Sequence, residues 1–267
     1  MNWPAWIDGE VCASADGLVF EHDLALGTAL FETVACAGGQ PLRLDAHIER
    51  LTRAARSVGR AVPDAEALRT AFEGLAAALP DGGGAARITV VGDPPRLYGT
   101  TRALPEPPAE GVGLWLAPPS VRRGDPLESI KHTSRADKVR WREHARSRGA
   151  WDAVLSNHEG RPVGATVANL WIVRDGCLLT PPIHEGCLPG VTRGAILALA
   201  DPPLPTRVAR VEAGDLEAAD EVLTTNCLVG PLGARELLGG GLVRREGPLP
   251  GSEGPIVGEL RRRLGFP

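Results

Sequence analysis

The spacing of hydrophobic and polar positions divides the first hundred residues into strands and helices. Strand-like stretches lie at 6–11, 29–35, 41–44 and 86–91. The glycine pair at 38–39 predicts a tight turn between two of these strands. Apolar residues at helical spacing predict one helix from an N-cap at Asp45 to about Gly59, and a second helix after Asp64. This half of the chain therefore alternates strands and helices.

The second half of the chain follows a proline-rich segment. Three prolines within 105–108 cannot continue a helix or a sheet, so the segment is read as a semi-rigid linker. Further strands are expected at 113–117, 151–155, 168–173, 177–180, 208–211 and 221–225, and helices at 132–148 and 191–200. The pattern predicts a mixed α/β (α+β) protein with two domains, 1–107 and 108–267.

Composition excludes several classes of protein. The 267 residues are 43% apolar, which is enough for a sizeable core, and a net charge of −4 disfavours a nucleic-acid partner. The five cysteines form no C-x-x-C pair and the six histidines show no metal-ligand spacing, so no metal site is expected. No stretch approaches the roughly 20 apolar residues of a membrane span, and no signal peptide is seen. A cytoplasmic location is expected.

Lysine is scarce in this chain. Only Lys131 and Lys138 occur, and all other basic residues are arginine. Arginine does not lose its proton in proteins, so it cannot attack a carbonyl as an amine can. Lys131 follows a strand-like step and precedes a helix, where its amine could condense with an aldehyde cofactor, although a solvated lysine at a helix start has the same pattern. Lys138 lies among arginines within the helix and is expected to face solvent.

A second candidate is the turn that opens the helix at 191. Pro189 and Gly190 precede that helix, so its first N–H groups and the positive end of its dipole are suited to a phosphate. Arg50, on the helix that follows Asp45, could supply a fixed positive charge to the same phosphate. Any helix that begins with Pro-Gly has this pattern, and Arg50 by itself is equally typical of a surface arginine, so both alternatives stay open at this point.

At this point the chain resembles a known family. The motifs that carry the resemblance are 27–33 (GTALFET), 44–51 (LDAHIERL), 130–132 (IKH), 168–171 (ANLW), 188–193 (LPGVTR) and 225–228 (TNCL). In this order they resemble the class IV (fold type IV) pyridoxal-phosphate enzymes, which include branched-chain and D-amino-acid aminotransferases and 4-amino-4-deoxychorismate lyase. The likeness extends over nearly the whole chain.

The resemblance implies a fold, a cofactor and a set of site residues. The fold would be a small N-terminal α/β domain and a larger pseudo-barrel domain, usually assembled as a homodimer. Pyridoxal 5'-phosphate would be the cofactor and Lys131 the Schiff-base lysine. Arg50 and the backbone at Gly190, Val191 and Thr192 would hold its phosphate. Two further residues, Asn226 and Cys227, would lie in a loop at the phosphate end of the pocket.

The chain departs from the family at Gly164. The resemblance implies a carboxylate there, beside the pyridine nitrogen, which keeps that nitrogen protonated and the cofactor a strong electron sink. Glycine has no side chain, so another acid such as Glu159 or Glu185 would have to reach the ring. Transamination should suffer most from the loss.

Three hypotheses follow. The first is a lyase resembling 4-amino-4-deoxychorismate lyase, which releases pyruvate and leaves 4-aminobenzoate. The second is a class IV aminotransferase of branched-chain or D-amino acids. The third is a catalytically silent family member. In the first two the substrate is a small molecule, either amino-acid-like or an aminochorismate.

Overall fold

The computed structural model describes residues 5–7, 9–12, 22–61, 63–239 and 247–266. The chain divides into two compact units. Unit 1 consists of 1–105 and 130–135, and unit 2 consists of 106–129 and 136–267. The boundary at 107/108 that the sequence suggested for two domains stays a prediction.

The elements counted for the two units are those of the described residues. Unit 1 contains one antiparallel sheet and three α-helices. The strands are β1 (Ala5–Ile7), β2 (Glu10–Cys12), β3 (Leu30–Ala37), β4 (Gln40–Pro41), β5 (Gly84–Val91) and β6 (Arg96–Arg102), and the helices are α1 (His22–Leu26), α2 (Leu44–Ser57) and α3 (Ala65–Ala77). The sheet order is β2-β1-β6-β5-β3-β4. The stretch expected as one strand at 6–11 is a hairpin of β1 and β2, since Gly9 has a left-handed backbone that turns the chain. Residue 8 lies outside the described residues.

The core of unit 1 lies between α2, α3 and one face of the sheet. Leu68, Phe72 and Leu75 of α3 are fully buried there. The predicted start of α3 after Asp64 is confirmed, and Asp64 caps the helix because its side chain accepts a hydrogen bond from the Glu66 N–H. The predicted cap of α2 at Asp45 is wrong. The cap lies two residues earlier, at Arg43 in a left-handed turn, and the Asp45 carboxylate bonds to Arg69 of α3 instead.

The segment 130–135 forms part of unit 1 although it is distant in sequence. The Phe31 N–H donates to the Lys131 carbonyl at 3.0 Å, and the Thr133 N–H donates to the Ala29 carbonyl at 2.8 Å. Ile130 joins the apolar core of the unit. Lys131, which was expected in the second domain, lies in unit 1 because its backbone pairs with β3, and the division into domains stays a prediction.

Unit 2 contains an eight-stranded mixed sheet and four helices. The strands are β7 (Val112–Leu116), β8 (Asp152–Ser156), β9 (Pro162–Ala165), β10 (Asn169–Arg174), β11 (Cys177–Thr180), β12 (Thr206–Val208), β13 (Glu221–Asn226) and β14 (Gly230–Leu238). The helices are α4 (Ala136–Arg146), α5 (Val191–Leu197), α6 (Ala213–Ala218) and α7 (Pro255–Leu264). The sheet order is β12-β11-β10-β13-β14-β7-β8-β9, in which β7 runs parallel to both of its neighbours.

The interior of unit 2 is built on both faces of β10 and β13. Leu170 and Ile172 face one apolar cluster, while Trp171 and Leu223 face another that includes α5 and α7. Strands buried on both faces read as continuous apolar runs, which is why the sequence predicted both of them. None of the helices in the described ranges is both long and apolar enough to cross a bilayer.

Candidate active site

Lys131 lies on the face of the unit 1 sheet that points away from the apolar core. Leu30 and His132 form an antiparallel bridge, so Phe31 and Lys131 project from the opposite face. The Lys131 ammonium nitrogen is 4.7 Å from the centre of the Phe31 ring. The amine therefore lies against an aromatic ring on a polar sheet face.

Two arginines gather around the same ring. The guanidinium carbon of Arg87 is 3.8 Å from the Phe31 ring centre, and that of Arg135 is 6.0 Å away. Burial lowers the pKa of Arg87 to about 10, and the charges of Arg135 and Arg102 add to this effect. Three cationic side chains around one phenyl ring are suited to an anionic ligand. The sequence analysis missed Arg87 because a lone arginine in a strand carries no motif.

Arg50 lies on the other face of β3, in an ion pair with Glu32. Its Nε donates to Glu32 Oε1 at 2.6 Å and its Nη2 to Oε2 at 2.8 Å, and His47 Nδ1 lies 2.8 Å from Oε2. Burial alone would raise the pKa of Glu32, but the Arg50 charge and the hydrogen bonds from His47 and Arg50 lower it to about 2. Two of the five N–H groups of Arg50 are thus used by Glu32. Its role as a phosphate ligand stays a prediction.

Unit 2 holds the turn before α5 in place through Asn169. The Asn169 side chain donates to the Leu188 carbonyl at 2.7 Å and lies so close to Gly190 that a Cβ there would be 1.9 Å from its Oδ1. A residue with a side chain at position 190 would clash with Asn169. Glycine therefore lets the backbone pass close to Asn169 before it enters α5. The predicted start of that helix at Val191 is confirmed.

The first turn of α5 contains a buried hydroxyl without a partner. Thr192 is 2% exposed, and its Oγ1 has no hydrogen-bond partner within the described part of the chain. The first N–H groups of an α-helix also lack carbonyl partners within the helix. Buried polar groups are nearly always hydrogen-bonded, so this turn is built for a ligand that accepts hydrogen bonds.

Asn226 and Cys227 lie in the turn that joins β13 to β14. Asn169 is paired with Thr225 across the sheet, so this turn and the start of α5 are held at neighbouring positions. The Asn226 side-chain oxygen accepts from the N–H groups of Leu228 and Val229 at 2.9 and 3.1 Å. Asn226 therefore shapes the turn, and the Cys227 thiol is partly exposed. Contacts of either residue with a phosphate stay predictions.

Gly164 lies in β9, opposite Leu155 of β8. A Cβ at this position would be 3.3 Å from the Ala168 carbonyl oxygen, so a side chain would need a small adjustment. The two acids that could replace a carboxylate at 164 are held elsewhere. The buried Glu185 carboxylate is bonded by Arg123, Arg161 and Arg210, and Glu159 by the first two of these.

A third acid, Asp152, binds to the loop that follows Gly164, and no sequence motif had indicated it. The buried Asp152 carboxylate accepts from the Thr166 hydroxyl and from the backbone N–H groups of Ala153 and Val167. Burial raises the pKa of Asp152, and these hydrogen bonds oppose that shift only in part. Because three donors bind to the Asp152 carboxyl group, it fixes the conformation of the loop between β9 and β10.

Each unit, taken by itself, offers groups of a defined chemistry: unit 1 an amine that can condense with an aldehyde, and unit 2 donors suited to a phosphate. Lys131 supplies a primary amine, and the first turn of α5 supplies amides and the unpartnered Thr192 hydroxyl. Within the described ranges, no group of three or more His, Cys, Asp or Glu residues is arranged to hold a metal ion.

Comparison with known proteins identifies the family. The family model described as amino-transferase class IV matches residues 29–237. A relative from Methanocaldococcus jannaschii, named a putative branched-chain-amino-acid aminotransferase, is 31% identical over 225 residues, covering 78% of this chain and 77% of that protein. A second relative, the bifunctional aminodeoxychorismate lyase / D-amino acid transaminase of Mycobacterium tuberculosis, is 27% identical, covering 73% and 76% of the two chains.

Solved structures share the fold. The 4-amino-4-deoxychorismate lyase of Pseudomonas aeruginosa is 26% identical, with a TM-score of 0.81 over 97% of each chain. The chain belongs to the class IV aminotransferase family, whose members are pyridoxal-phosphate enzymes. The mixed α/β class and the fold type IV architecture expected from the sequence are confirmed.

Proposed function

We propose that this protein is a pyridoxal-phosphate lyase acting on 4-amino-4-deoxychorismate, with pyruvate and 4-aminobenzoate as products. The observation that carries the proposal is the absence of a side chain at Gly164, with Glu159 and Glu185 engaged by arginines. A cofactor ring without a carboxylate beside its nitrogen is a weaker electron sink. An elimination that forms an aromatic ring is strongly downhill and tolerates this better than transamination does.

The charge around Lys131 supports the same substrate class. The proposed substrate carries two carboxylates, and Arg87 and Arg135 place two cations beside Phe31 next to the amine. Guanidinium groups bind carboxylates through paired N–H donors. In this proposal Arg87 and Arg135 orient a substrate carboxylate so that the reacting carbon faces Lys131.

The aldehyde and the phosphate of the cofactor each have candidate ligands among the residues described above. Lys131 would bind its aldehyde, and Thr192, the amides of Val191 and Thr192, and Arg50 would bind its phosphate. When bound, the cofactor supplies an electron-accepting ring. Gly190 lets the backbone approach Asn169, which positions these amides.

The proposed reaction needs one base and no co-reactant. Lys131 removes the proton from the carbon that carries the amino group. The C–O bond to the enolpyruvyl group then breaks, the ring becomes aromatic, and the leaving group takes up a proton to become pyruvate. Substrate and products have the same atoms, so no water, oxidant or reductant is consumed.

The test compares the two lysines of the chain. Purified protein is mixed with 4-amino-4-deoxychorismate, and 4-aminobenzoate and pyruvate are measured. We expect equal amounts of both products, and a loss of at least about a thousandfold in Lys131→Ala. Lys138→Ala is the matched control and should retain activity, because that amine is paired with Glu128 at 2.9 Å.

Borohydride reduction and mass spectrometry identify the lysine that carries the cofactor. The lyase proposal fails if cofactor is bound at Lys131 but neither product forms. Cofactor absent from wild type would instead favour a silent family member.

An aminotransferase of branched-chain or D-amino acids is the second candidate. The 31% identity to the Methanocaldococcus jannaschii relative favours it. It requires the donor's own keto acid to form from an amino acid when 4-amino-4-deoxychorismate is absent. Because the lyase reaction itself yields pyruvate, measuring a keto acid other than pyruvate, from branched-chain or D-amino acids alone, separates the two activities.

A further inference from the structure

Arg193 is a buried arginine whose acceptors are all uncharged. It is 6% exposed, its Nη2 donates to the Pro181 carbonyl at 3.0 Å, and its Nε donates to Thr180 Oγ1 at 3.3 Å. Burial lowers the pKa of Arg193. Guanidinium groups nevertheless stay charged in proteins, so a full positive charge is held inside unit 2.

No carboxylate in the described part of the chain pairs with this charge. The titratable group that acts on the pKa of Arg193 is the Cys187 thiol, whose own pKa burial raises to about 11, so it is neutral at pH 7. Glu185 lies close enough to Cys187 to affect it, but its carboxylate is occupied by Arg123, Arg161 and Arg210. A buried charge without a partner is costly, which indicates that the counter-charge comes from outside the chain.

The position of Arg193 indicates where that counter-charge lies. It is the residue after Thr192, whose buried Oγ1 is also unpartnered in the described ranges. Its Cβ would be 3.4 Å from a Cβ at Gly190, so its stem packs against the turn that enters α5. An unpaired cation and an unpaired hydroxyl therefore occur in adjacent residues of one helical turn.

We propose that Arg193 supplies the buried positive charge of the phosphate site in unit 2 and is neutralised by the cofactor phosphate. The inference rests on the proposed cofactor and adds a residue to the phosphate site. In buried surroundings a unit charge acts over several ångströms, so Arg193 need not touch the phosphate to stabilise it. Thr180 and Pro181 keep the guanidinium in place while the site is empty.

The test compares the cofactor with the same molecule lacking its phosphate. Pyridoxal 5'-phosphate and pyridoxal are each titrated, by visible absorbance, into wild type, Arg193→Gln and Arg193→Lys, and dissociation constants are corrected for the folded fraction. We expect Arg193→Gln to weaken pyridoxal 5'-phosphate on the order of tenfold and pyridoxal less than about twofold. Arg193→Lys should keep most of the preference for the phosphorylated form, because it keeps the charge.

Arg207→Gln is the matched control, since Arg207 is an exposed arginine of β12 in the same unit, and it should change neither constant. Equal weakening of both ligands by Arg193→Gln would mean a purely structural role and would overturn the proposal. If Arg193→Gln does not fold, Arg193→Lys decides, and loss of its preference for the phosphorylated ligand overturns the proposal.

Inorganic phosphate distinguishes failure of this inference from failure of the proposed function. If neither aldehyde attaches to Lys131 in wild type, the proposed function fails. Phosphate should still raise the Tm of wild type more than that of the Arg193 variants. The same shift in wild type and variants would overturn the role of Arg193.

Discussion

Arg50 in unit 1 and Arg193 in unit 2 are both buried, and their hydrogen-bond acceptors differ in charge. Arg50 forms a two-point ion pair with Glu32, whose ionised carboxylate also accepts a hydrogen bond from His47 Nδ1. Arg193 has only a hydroxyl and a carbonyl as acceptors. The first charge is compensated by the fold itself, while the second is left available to a ligand.

This difference separates stability from binding. A paired buried charge contributes to stability only while both partners are present, and removal of one partner leaves the other uncompensated. A buried cation without a carboxylate partner contributes little to the free energy of unfolding. Its attraction for an anionic ligand is then available to strengthen the binding of that ligand. We therefore expect substitutions at Arg50 and Arg193 to affect different measurements.

The largest effect is expected for Glu32→Gln, which removes the counter-charge of Arg50. We expect the free energy of unfolding to fall by about 3–5 kcal/mol, because the buried Arg50 charge then loses the Glu32 carboxylate. Urea denaturation, followed by a spectroscopic signal from unit 1, measures this free energy of unfolding. Adding Arg50→Met should recover part of the loss, and Glu49→Gln, which breaks the exposed pair with Arg53, should cost at most about 1 kcal/mol. A loss no greater than that of the exposed control would mean that Glu32 does not compensate Arg50.

Acid should have a similar but smaller effect. The pKa of Glu32 is about 2 in the folded protein against an ordinary value of 4.5, so its contribution is complete above about pH 4.5 and is lost as the pH falls towards 2. Wild type should lose up to about 1.4 kcal/mol per pH unit more than Glu32→Gln across this window. Asp152 acts in the opposite sense, because its pKa is raised by burial. Parallel denaturation curves for wild type and Glu32→Gln between pH 5 and pH 3 would contradict this assignment.

The smallest effect is expected for Arg193→Met in the absence of any phosphate ligand. We expect a change within about 1 kcal/mol, against about 3–5 kcal/mol for Arg50→Met, which leaves Glu32 buried without its arginine. Thr180 still donates to the Leu170 carbonyl, and Pro181 still accepts from Cys187. Urea denaturation of the two apo-proteins measures the difference, and equal losses would show that Arg193 is needed mainly for folding.

Local patterns were sufficient to predict many of the elements. The helix start after Asp64, the strands at 86–91 and 168–173 and the start of a helix at Val191 follow from residue types within a few positions. The wrong cap at Asp45 has a tertiary cause, since the carboxylate is bound by Arg69, 24 residues away. Sequence spacing cannot show that contact.

The charge pairing of the site could not be predicted from the sequence. Glu32 and Arg50 are 18 residues apart, and only the packing of α2 on β3 brings them together. Arg87 reaches Phe31 because β5 pairs with β3, which a local pattern does not encode. The sequence indicated which residues carry useful chemistry, whereas the fold determines which of them are neutralised.

The pairing of 131–133 with β3 has a consequence for how this gene can be divided. A fragment ending at Pro105 would lack the strand segment that contacts Ala29 and Phe31, together with Ile130 from its core. Its exposed β-edge would be open to pairing with other chains, which favours aggregation. A break in the gene at the proline-rich linker would therefore separate Lys131 from β3, with which its backbone pairs. We expect the two units to be needed in one chain.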